Sequence, residues 1–521
     1  MRKFNVTGLC VPEADYMADI SGKIKQIKEL VDNRSYFTIN RARQYGKTTT
    51  LVCLERLLKS EYLVVSISFE SIDDESFSSA KAFCHAFMEL IHDALDFSDV
   101  PDDDKESWLD NDITTFKGLS KLITKMCKNK RLVLMIDEVD KTSNNRVFIH
   151  FLAMLRDKFL AQRKGKDHTF HSVILAGVYD IKNIKLKMVT EGTYTLAPEE
   201  SKLFNSPWNI AVSFKVDMSF NPTEIAAMLT DYEADHHSGM NIPVIAEEIH
   251  AHTNGYPFLV SRICQCLDEE PDQNWTPDGV QQAVKILLDE RNTLFDDIYK
   301  NLETYKDFYN FIYNILILGE TYSFNLGNPV VDLAHTFGII MNRNGVAAIS
   351  NRIFETLIYE YFISKEQTNE ERRGIKGVLQ SDIVSGGRFN MELCLENFSD
   401  HYHEMFCARD IEFLERHGRL LFLSYLRPLI NGYGFYHIES ETRNQRRMDI
   451  VVDYNKEQFI LELKVWHGKK YKEEAYSQLI EYITGKNASA GYLLTFDFRR
   501  DRQPCARWVE IGNKRIFDIV V

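Results

Sequence analysis

The chain has 521 residues, 44% hydrophobic and 26% charged, with a formal net charge of −14 at pH 7. That length predicts roughly three or four globular domains, each able to bury a core, and the acidic balance excludes a protein that coats nucleic acid through bulk electrostatics. Nine cysteines without a Cys-x-x-Cys pair exclude a zinc ribbon or a disulfide framework, and no stretch resembles a signal peptide or a run of ~20 apolar residues, so a cytoplasmic protein with no membrane partner is expected.

Tyr36-Phe37-Thr38-Ile39-Asn40 reads as a short buried strand, followed by the loop Arg41 to Thr48 and a helical run from Thr49. Gly46-Lys47-Thr48 at such a strand-to-helix junction is the end of a P-loop. Backbone amides and the helix N-terminus cradle phosphates, Lys47 reaches the β and γ oxygens, and Thr48 holds Mg2+. The nucleotide candidates are Arg43, Gln44, Tyr45, Gly46, Lys47, Thr48 and Thr49. Arg41 stands where the motif's first glycine is usual, which leaves ATP hydrolysis and ATP binding alone both open.

Tyr62 to Phe69 reads as another core strand, and Arg131 to Glu138 as a hydrophobic strand ending in two acids. Ligands bind at the carboxyl ends of parallel strands, so Asp137 is expected to order the Mg2+ shell and Glu138 to polarise the attacking water. The other reading of Asp-Glu after a strand is a helix N-cap. Ser172 to Gly177 adds a further strand, and Asp180 after it reads as a cap ahead of a γ-phosphate sensor. Strands separated by helical stretches predict a doubly wound α/β sheet. The histidines 236, 237, 250 and 252 read as loop and helix-surface residues rather than metal ligands.

Thr253 to Val260 is a helical region punctuated by Gly255 and Pro257. With Ser206-Pro207-Trp208-Asn209-Ile210 and the Arg41 to Thr48 loop, it resembles the bacterial AAA-like ATPases of the signal-transduction group. That resemblance spans roughly residues 10 to 360. It implies a lid whose Pro257 approaches the nucleotide and a homo-oligomer; no residue of the sequence is assignable as an arginine finger, which leaves its source, a neighbouring subunit included, open. Tyr305 to Leu318 reads as helix, and Phe337–Ile340 with Val346–Asn351 as a hairpin turning at Asn344-Gly345. The resembling ATPases have a winged-helix module here; with no basic recognition helix in view, packing rather than DNA binding is expected of it. Ser364 to Gly387 is polar, glycine-punctuated and reads as a linker.

Beyond residue 400 the charge balance changes, to 19 Lys and Arg against 17 Asp and Glu. Arg447-Met448-Asp449-Ile450-Val451-Val452 and Ile460-Leu461-Glu462-Leu463-Lys464-Val465 are apolar strands that carry charges where a core strand should have none. Glu462 and Lys464 emerge on one face. With Asp449 alongside, two carboxylates favour a hard cation such as Mg2+, and Lys464 would activate or orient water at a phosphodiester. The other reading is a strand-edge salt bridge of Lys464. Gln478 and Tyr482, four apart on the next helix, share a face.

This series closely resembles the PD-(D/E)XK nuclease superfamily, in the branch whose core is followed by a Gln-x-x-x-Tyr helix, over roughly residues 400 to 521. The resemblance implies Asp449 and Glu462 as metal ligands, Lys464 as catalytic, Gln478 and Tyr482 as supporting residues, and a further acid on the preceding helix, Glu415 ahead of Glu412. Clusters at Arg443, Arg446 and Arg447, at Lys469, Lys470 and Lys472, and at Arg499, Arg500 and Arg502 can track a phosphate backbone or form a solvated basic face.

The expected architecture is α/β: a P-loop ATPase core at 1–218, a helical lid at 219–300, a winged helix at 301–363, a linker at 364–395, and a restriction-endonuclease-like α/β domain at 396–521. The expected activity is ATP-regulated, Mg2+-dependent cutting of nucleic acid, DNA ahead of RNA, in defence against foreign DNA. The competing reading is a nucleotide-driven switch or scaffold whose nuclease-like domain binds nucleic acid or a partner without cutting.

Overall fold

The computed structural model describes residues 2–96, 100–101, 105–109, 112–142, 146–178, 208–270, 273–317, 320–368, 383–385, 388–405, 418, 421–423, 425–427, 429–430, 434–439, 449–454, 457–466, 469–485, 488–497, 499 and 505–521. They fall into two compact units, Met1–Glu290 with Ala334–Ile339, and Arg291–Leu333 with Ile340–Val521.

In the first unit β1 (Tyr36–Asn40), β2 (Leu63–Ser68), β3 (Leu132–Asp137) and β4 (Ser172–Gly177) form a parallel sheet in the order β1-β4-β3-β2. Alternate side chains leave opposite faces, so each strand feeds two cores. Phe37, Ile39, Val133, Met135 and Ile174 pack on α1 (Ser21–Asp32) and α2 (Lys47–Leu58). Tyr36, Leu134, Ile136, Val173 and Leu175 pack under α3 (Ala80–Asp96), α4 (Phe116–Cys127) and α5 (Arg146–Arg163). Val212 bridges to Phe37 and donates its amide to Tyr36 O at 2.9 Å, which extends the sheet past β1. Trp208 is buried beside it and donates from Nε1 to Thr38 Oγ1 at 3.0 Å.

Four helices follow: α6 (Pro222–His236), α7 (Ile242–Thr253), α8 (Pro257–Glu269) and α9 (Pro277–Asp289). Asn221 and Glu224 close a capping box at the start of α6. Asn254 and Gly255, both with positive φ, end α7, and Pro257 opens α8. The N-terminal segment lays Phe4 and Tyr16 against Tyr232, while His236 stacks on Tyr232 at 4.1 Å and meets the Tyr16 hydroxyl. His236 thus has a packing role.

The second unit opens with α10 (Thr293–Thr304) and α11 (Lys306–Leu316). The helix α12 (Pro329–Thr336), whose last residues from Ala334 belong to the first unit, the hairpin of β5 (Ile340–Arg343) and β6 (Val346–Ile349), and α13 (Arg352–Thr368) come next. The hairpin turns at Asn344 and Gly345, with φ of 55° and 87°, as the Asn-Gly pair predicts. α13 continues as helix into the stretch expected to be linker, and β7 (Val384–Ser385), β8 (Arg388–Phe389) and the start of α14 (Met391–Met405) also fall within it.

The six-stranded sheet of this unit contains β9 (Gly434–Glu439), β10 (Asp449–Tyr454), β11 (Glu457–Val465), β12 (Ala490–Phe496), β13 (Cys505–Ile511) and β14 (Lys514–Val520), in the order β13-β14-β12-β11-β10-β9. β10 runs antiparallel to both β9 and β11; the helix α15 (Lys469–Gly485) then carries the chain over to β12, parallel to β11. Ile460, Leu493 and Ile516 meet Ala475, Leu479 and Ile483 of α15 on one face. On the other face Phe496 lies against Phe398 of α14. Glu462 and Lys464 therefore share their face with α15. Among the described residues no helix is long and apolar enough to cross a membrane.

Candidate active sites

The P-loop is built by two left-handed backbone positions. Gly46, φ 73°, caps α2 without a side chain, and Gln44 has φ 56°. The first amides of α2 consequently face the loop as a positive, anion-binding end. Lys47 is 6% exposed and donates to the carbonyls of Arg41 and Ala42 at 3.1 Å each. Burial pulls its ammonium below the ordinary lysine value, and the carboxylates of Glu138, Asp140 and Asp137 oppose that. Thr48 Oγ1 donates to Asp137 Oδ2 at 2.7 Å, so the hydroxyl and the carboxylate expected to share a cation are already together.

Arg41, in the place of the motif's first glycine, does not have positive φ. Its guanidinium donates to Asn40 O and Val216 O at 2.8 and 2.7 Å and lies 5.3 Å from the Phe214 ring. The side chain is thereby accounted for on the flank of the sheet.

Glu138 has φ 54°, a strained conformation for a side-chain-bearing residue, and its amide donates to Asp137 Oδ1 at 2.9 Å. Burial raises its carboxyl above the ordinary value while Lys47 lowers it. Sequence reasoning missed Asp140. Its carboxylate accepts from Val178 N, and a Cβ on Gly177 would lie 2.8 Å from its Oδ1. It pins the end of β4 beside the two acids of β3, and its signal was the acid repeated just past Asp137-Glu138.

The lid reaches the loop through Tyr256, the residue before Pro257. Pro257 is buried in the first turn of α8, whereas the Tyr256 hydroxyl donates to Arg43 O and its ring lies 4.6 Å edge-on from Tyr45. A Cβ on Gly255 would lie 1.9 Å from Phe220 O, so only glycine fits this approach. Thr49 accepts the Cys10 amide at 3.3 Å, which brings the N-terminal segment to the first turn of α2.

In the second unit the register places Asp449 directly opposite Glu462. Directly paired residues project to the same face with Cβ atoms about 4.5–5.5 Å apart. Glu462 is 1% exposed, and Lys464 Nζ lies 3.0 Å from its Oε1. A buried carboxylate with a second acid-bearing position beside it is a donor set for a hard divalent cation.

α15 covers this face in a definite orientation. Tyr476 donates to Asp518 Oδ2 of β14 at 2.7 Å. At about 100° per residue, Tyr476 lies roughly 60° to one side of the buried Leu479, while Tyr482 and Gln478 lie roughly 60° and 100° to the other. That second side lies toward β11, the strand that carries Glu462 and Lys464. Thr495, in register with Lys464, was not foreseen; it is 2% exposed and its Oγ1 has no hydrogen-bond partner among the described residues. A lone threonine in an apolar strand gave no signal without the register.

Glu415, Glu412 and Asp180, together with Arg443, Arg446, Arg447, Arg500 and Arg502, lie outside the described residues.

Residues 14–285 match the AAA-like domain family, and residues 435–508 match the PD-(D/E)XK nuclease superfamily. Among solved structures, a Walker-type ATPase of Pyrococcus abyssi is 11% identical, with a TM-score of 0.47 over 68% of this chain and 99% of its own. The ORC2 protein of Aeropyrum pernix is 12% identical with a TM-score of 0.37, over 66% of this chain and 95% of its own. The RuvB Holliday junction branch migration motor of Thermotoga maritima is 11% identical with a TM-score of 0.32, again over 66% and 95%. No curated protein matches the sequence.

Proposed function

Since the chain belongs to the AAA-like family through residues 14–285 and carries a PD-(D/E)XK nuclease superfamily domain at residues 435–508, we propose that it is an ATP-regulated, Mg2+-dependent nuclease acting on nucleic acid, DNA ahead of RNA. The observation that carries the cutting half is the buried Glu462–Lys464 pair standing opposite Asp449. Asp449 and Glu462 would hold the cation, which would supply a Lewis acid and a water of lowered pKa. Lys464 would orient the attacking water and stabilise charge on the phosphate, and Gln478 and Tyr482 would steady the substrate from α15.

In the ATPase half Lys47 exchanges its contacts with the Arg41 and Ala42 carbonyls for the nucleotide's phosphates. Thr48 and Asp137 hold Mg2+, and Glu138 polarises the attacking water. Support for coupling comes from the loop's surroundings. The lid's Tyr256 is bonded to Arg43, and a Cβ on Gly338, in the excursion Ala334–Ile339, would lie 2.8 Å from the Ala42 Cβ. On either side of that excursion the chain belongs to the unit that holds the nuclease domain. The helices and hairpin between 301 and 363 support a winged-helix module that packs, and a homo-oligomer would supply the arginine finger. The pairing of a nucleotide switch with a nuclease fits defence against foreign DNA in the cytoplasm.

The test is purified protein with Mg2+, ATP and DNA or RNA. Glu462→Ala and Lys464→Ala should abolish cutting, and Lys47→Ala should weaken ATP binding. Persistent cutting by the first two variants would remove the site assignment, and cutting indifferent to nucleotide would remove the coupling.

A further inference from the structure

Beyond Lys464 the same sheet face carries a cluster that the metal site does not use. Trp466 follows on the same side, and its amide donates to Phe496 O at 2.9 Å, so its backbone is still fixed by the parallel pairing. The Arg499 guanidinium lies 4.6 Å from the indole centroid and Lys472 Nζ lies 6.0 Å from it. Each cation is aimed by a buried acid. Asp497, 2% exposed, accepts from Arg499 Nε at 2.9 Å and Nη2 at 2.7 Å; Asp518, fully buried, accepts from Lys472 Nζ at 2.7 Å.

The Lys472–Asp518 pair is buried and also serves packing, but the Arg499 guanidinium is half-exposed; such an exposed pair contributes little to stability, yet both cations are held at one aromatic ring. The start of α15 points the same way. Lys472 stands in its first turn, which has no acid, so the helix dipole adds to the positive field around Trp466. Trp466 lies about 7 Å beyond Lys464 along the strand, within a nucleotide's reach of the reacting phosphate.

We propose that Arg499 and Lys472, posted on Trp466, bind the phosphodiester group next to the scissile one on the strand being cut. This rests on the nuclease reading above. Arg499 presents a fixed fork of five N–H donors, of which Asp497 engages Nε and Nη2, so the guanidinium is oriented before substrate arrives. Asp518 does the same for Lys472 and, through Tyr476, fixes the helix that carries Gln478 and Tyr482.

The experiment measures binding of a labelled DNA oligonucleotide to the full chain in Ca2+, over a series of salt concentrations, and cleavage in Mg2+. Arg499→Gln should weaken binding roughly tenfold, reduce the salt slope by about one, and act on KM rather than kcat. Trp466→Phe, which keeps a ring, should lose less than Trp466→Ala. Lys464→Ala serves as the reference, binding DNA without cutting it. If Lys464→Ala still cuts, the nuclease reading fails. If Lys464→Ala is inactive while Arg499→Gln keeps the wild-type affinity and salt slope, the phosphate site fails and the cluster is a clamp only. Should Arg499→Gln melt early, Arg499→Lys, which keeps the charge and loses the fork, must show the affinity loss without the change in salt slope.

Discussion

Replacing Lys464 with alanine tests structure and chemistry together. Glu462 is 1% exposed and the Lys464 ammonium is 3.0 Å from its carboxylate, so truncation leaves a negative charge in the sheet face, with Asp449 in register beside it. Breaking a buried pair from one side costs about 3–5 kcal/mol, which for a unit of this size lowers its melting temperature by roughly 10 °C. A cation held by the same carboxylates takes over the compensation. Mg2+ at about a hundred times its Kd adds about 2.7 kcal/mol, so the variant should regain much of its loss and gain more from Mg2+ than the wild type does. Cleavage should remain at least roughly a hundredfold down even with the melting temperature restored, because the group that orients water is gone. Differential scanning calorimetry with and without Mg2+, run beside cleavage of a labelled duplex, gives both quantities. A variant as stable as wild type without metal, indifferent to Mg2+ and still cutting, would refute both the buried-charge and the catalytic assignments.

Glu138→Gln should bind ATP and lower its hydrolysis at least roughly a hundredfold; because burial holds the native carboxyl above its ordinary value of 4.5, the acid limb of wild-type ATPase activity should lie above that of an unperturbed glutamate. An unchanged rate in the variant removes Glu138 from the mechanism. Gly255→Ala must place a methyl 1.9 Å from Phe220 O at a φ of 71°, so it should destabilise the first unit by more than about 2 kcal/mol in urea unfolding and loosen the Tyr256 contact; a near-neutral result would mean that the lid turn is not held as described. Glu355 is 7% exposed in α13 and burial pushes its carboxyl up to about 8, with Arg352 and Arg343 opposing. Its folded-state pKa exceeds the unfolded value of 4.5, so the penalty is absent below 4.5, grows between 4.5 and about 8 and is complete above. Glu355→Gln should therefore raise the melting temperature by several degrees near pH 9 and hardly at all near pH 5. An equal shift at both pH values would contradict the burial argument.

The parts legible in sequence were those with local causes. Tyr36–Asn40 and Ser172–Gly177 were readable to the residue because a strand buried on both faces is mostly apolar, and the hairpin was readable because Asn344-Gly345 favours a turn with two positive φ values. Glu462 and Lys464 stood out because charges are costly in a core strand. The remainder depends on register and on contacts far apart in sequence. Thr495 acquires meaning only when β12 is placed against β11, and Asp518 only when β14 is placed against β12 and Tyr476 descends on it. Tyr256 meets Arg43 across more than two hundred residues, a contact that the Tyr-Pro dipeptide does not specify.

Arg41 shows how such a long-range contact changes the meaning of a motif. A glycine is indispensable at a P-loop position only where the backbone needs positive φ or where a side chain would occupy the phosphate's place. Here the left-handed positions are Gln44 and Gly46, so Arg41 meets no backbone penalty. Its guanidinium is taken up by Asn40 O, Val216 O and the Phe214 ring, on a segment that follows Trp208 and Val212 along the flank of β1. The backbone of the loop therefore does not require the missing glycine. Arg41 instead ties the loop to the residues that extend the sheet, so Arg41→Ala should disturb Phe214 and the sheet flank more than it disturbs Lys47, Thr48 and Asp137. A nucleotide-binding loss in Arg41→Ala as large as that in Lys47→Ala, in a protein whose melting temperature is unchanged, would show that Arg41 contacts the nucleotide directly and that its hydrogen bonds to the flank are broken when ATP binds.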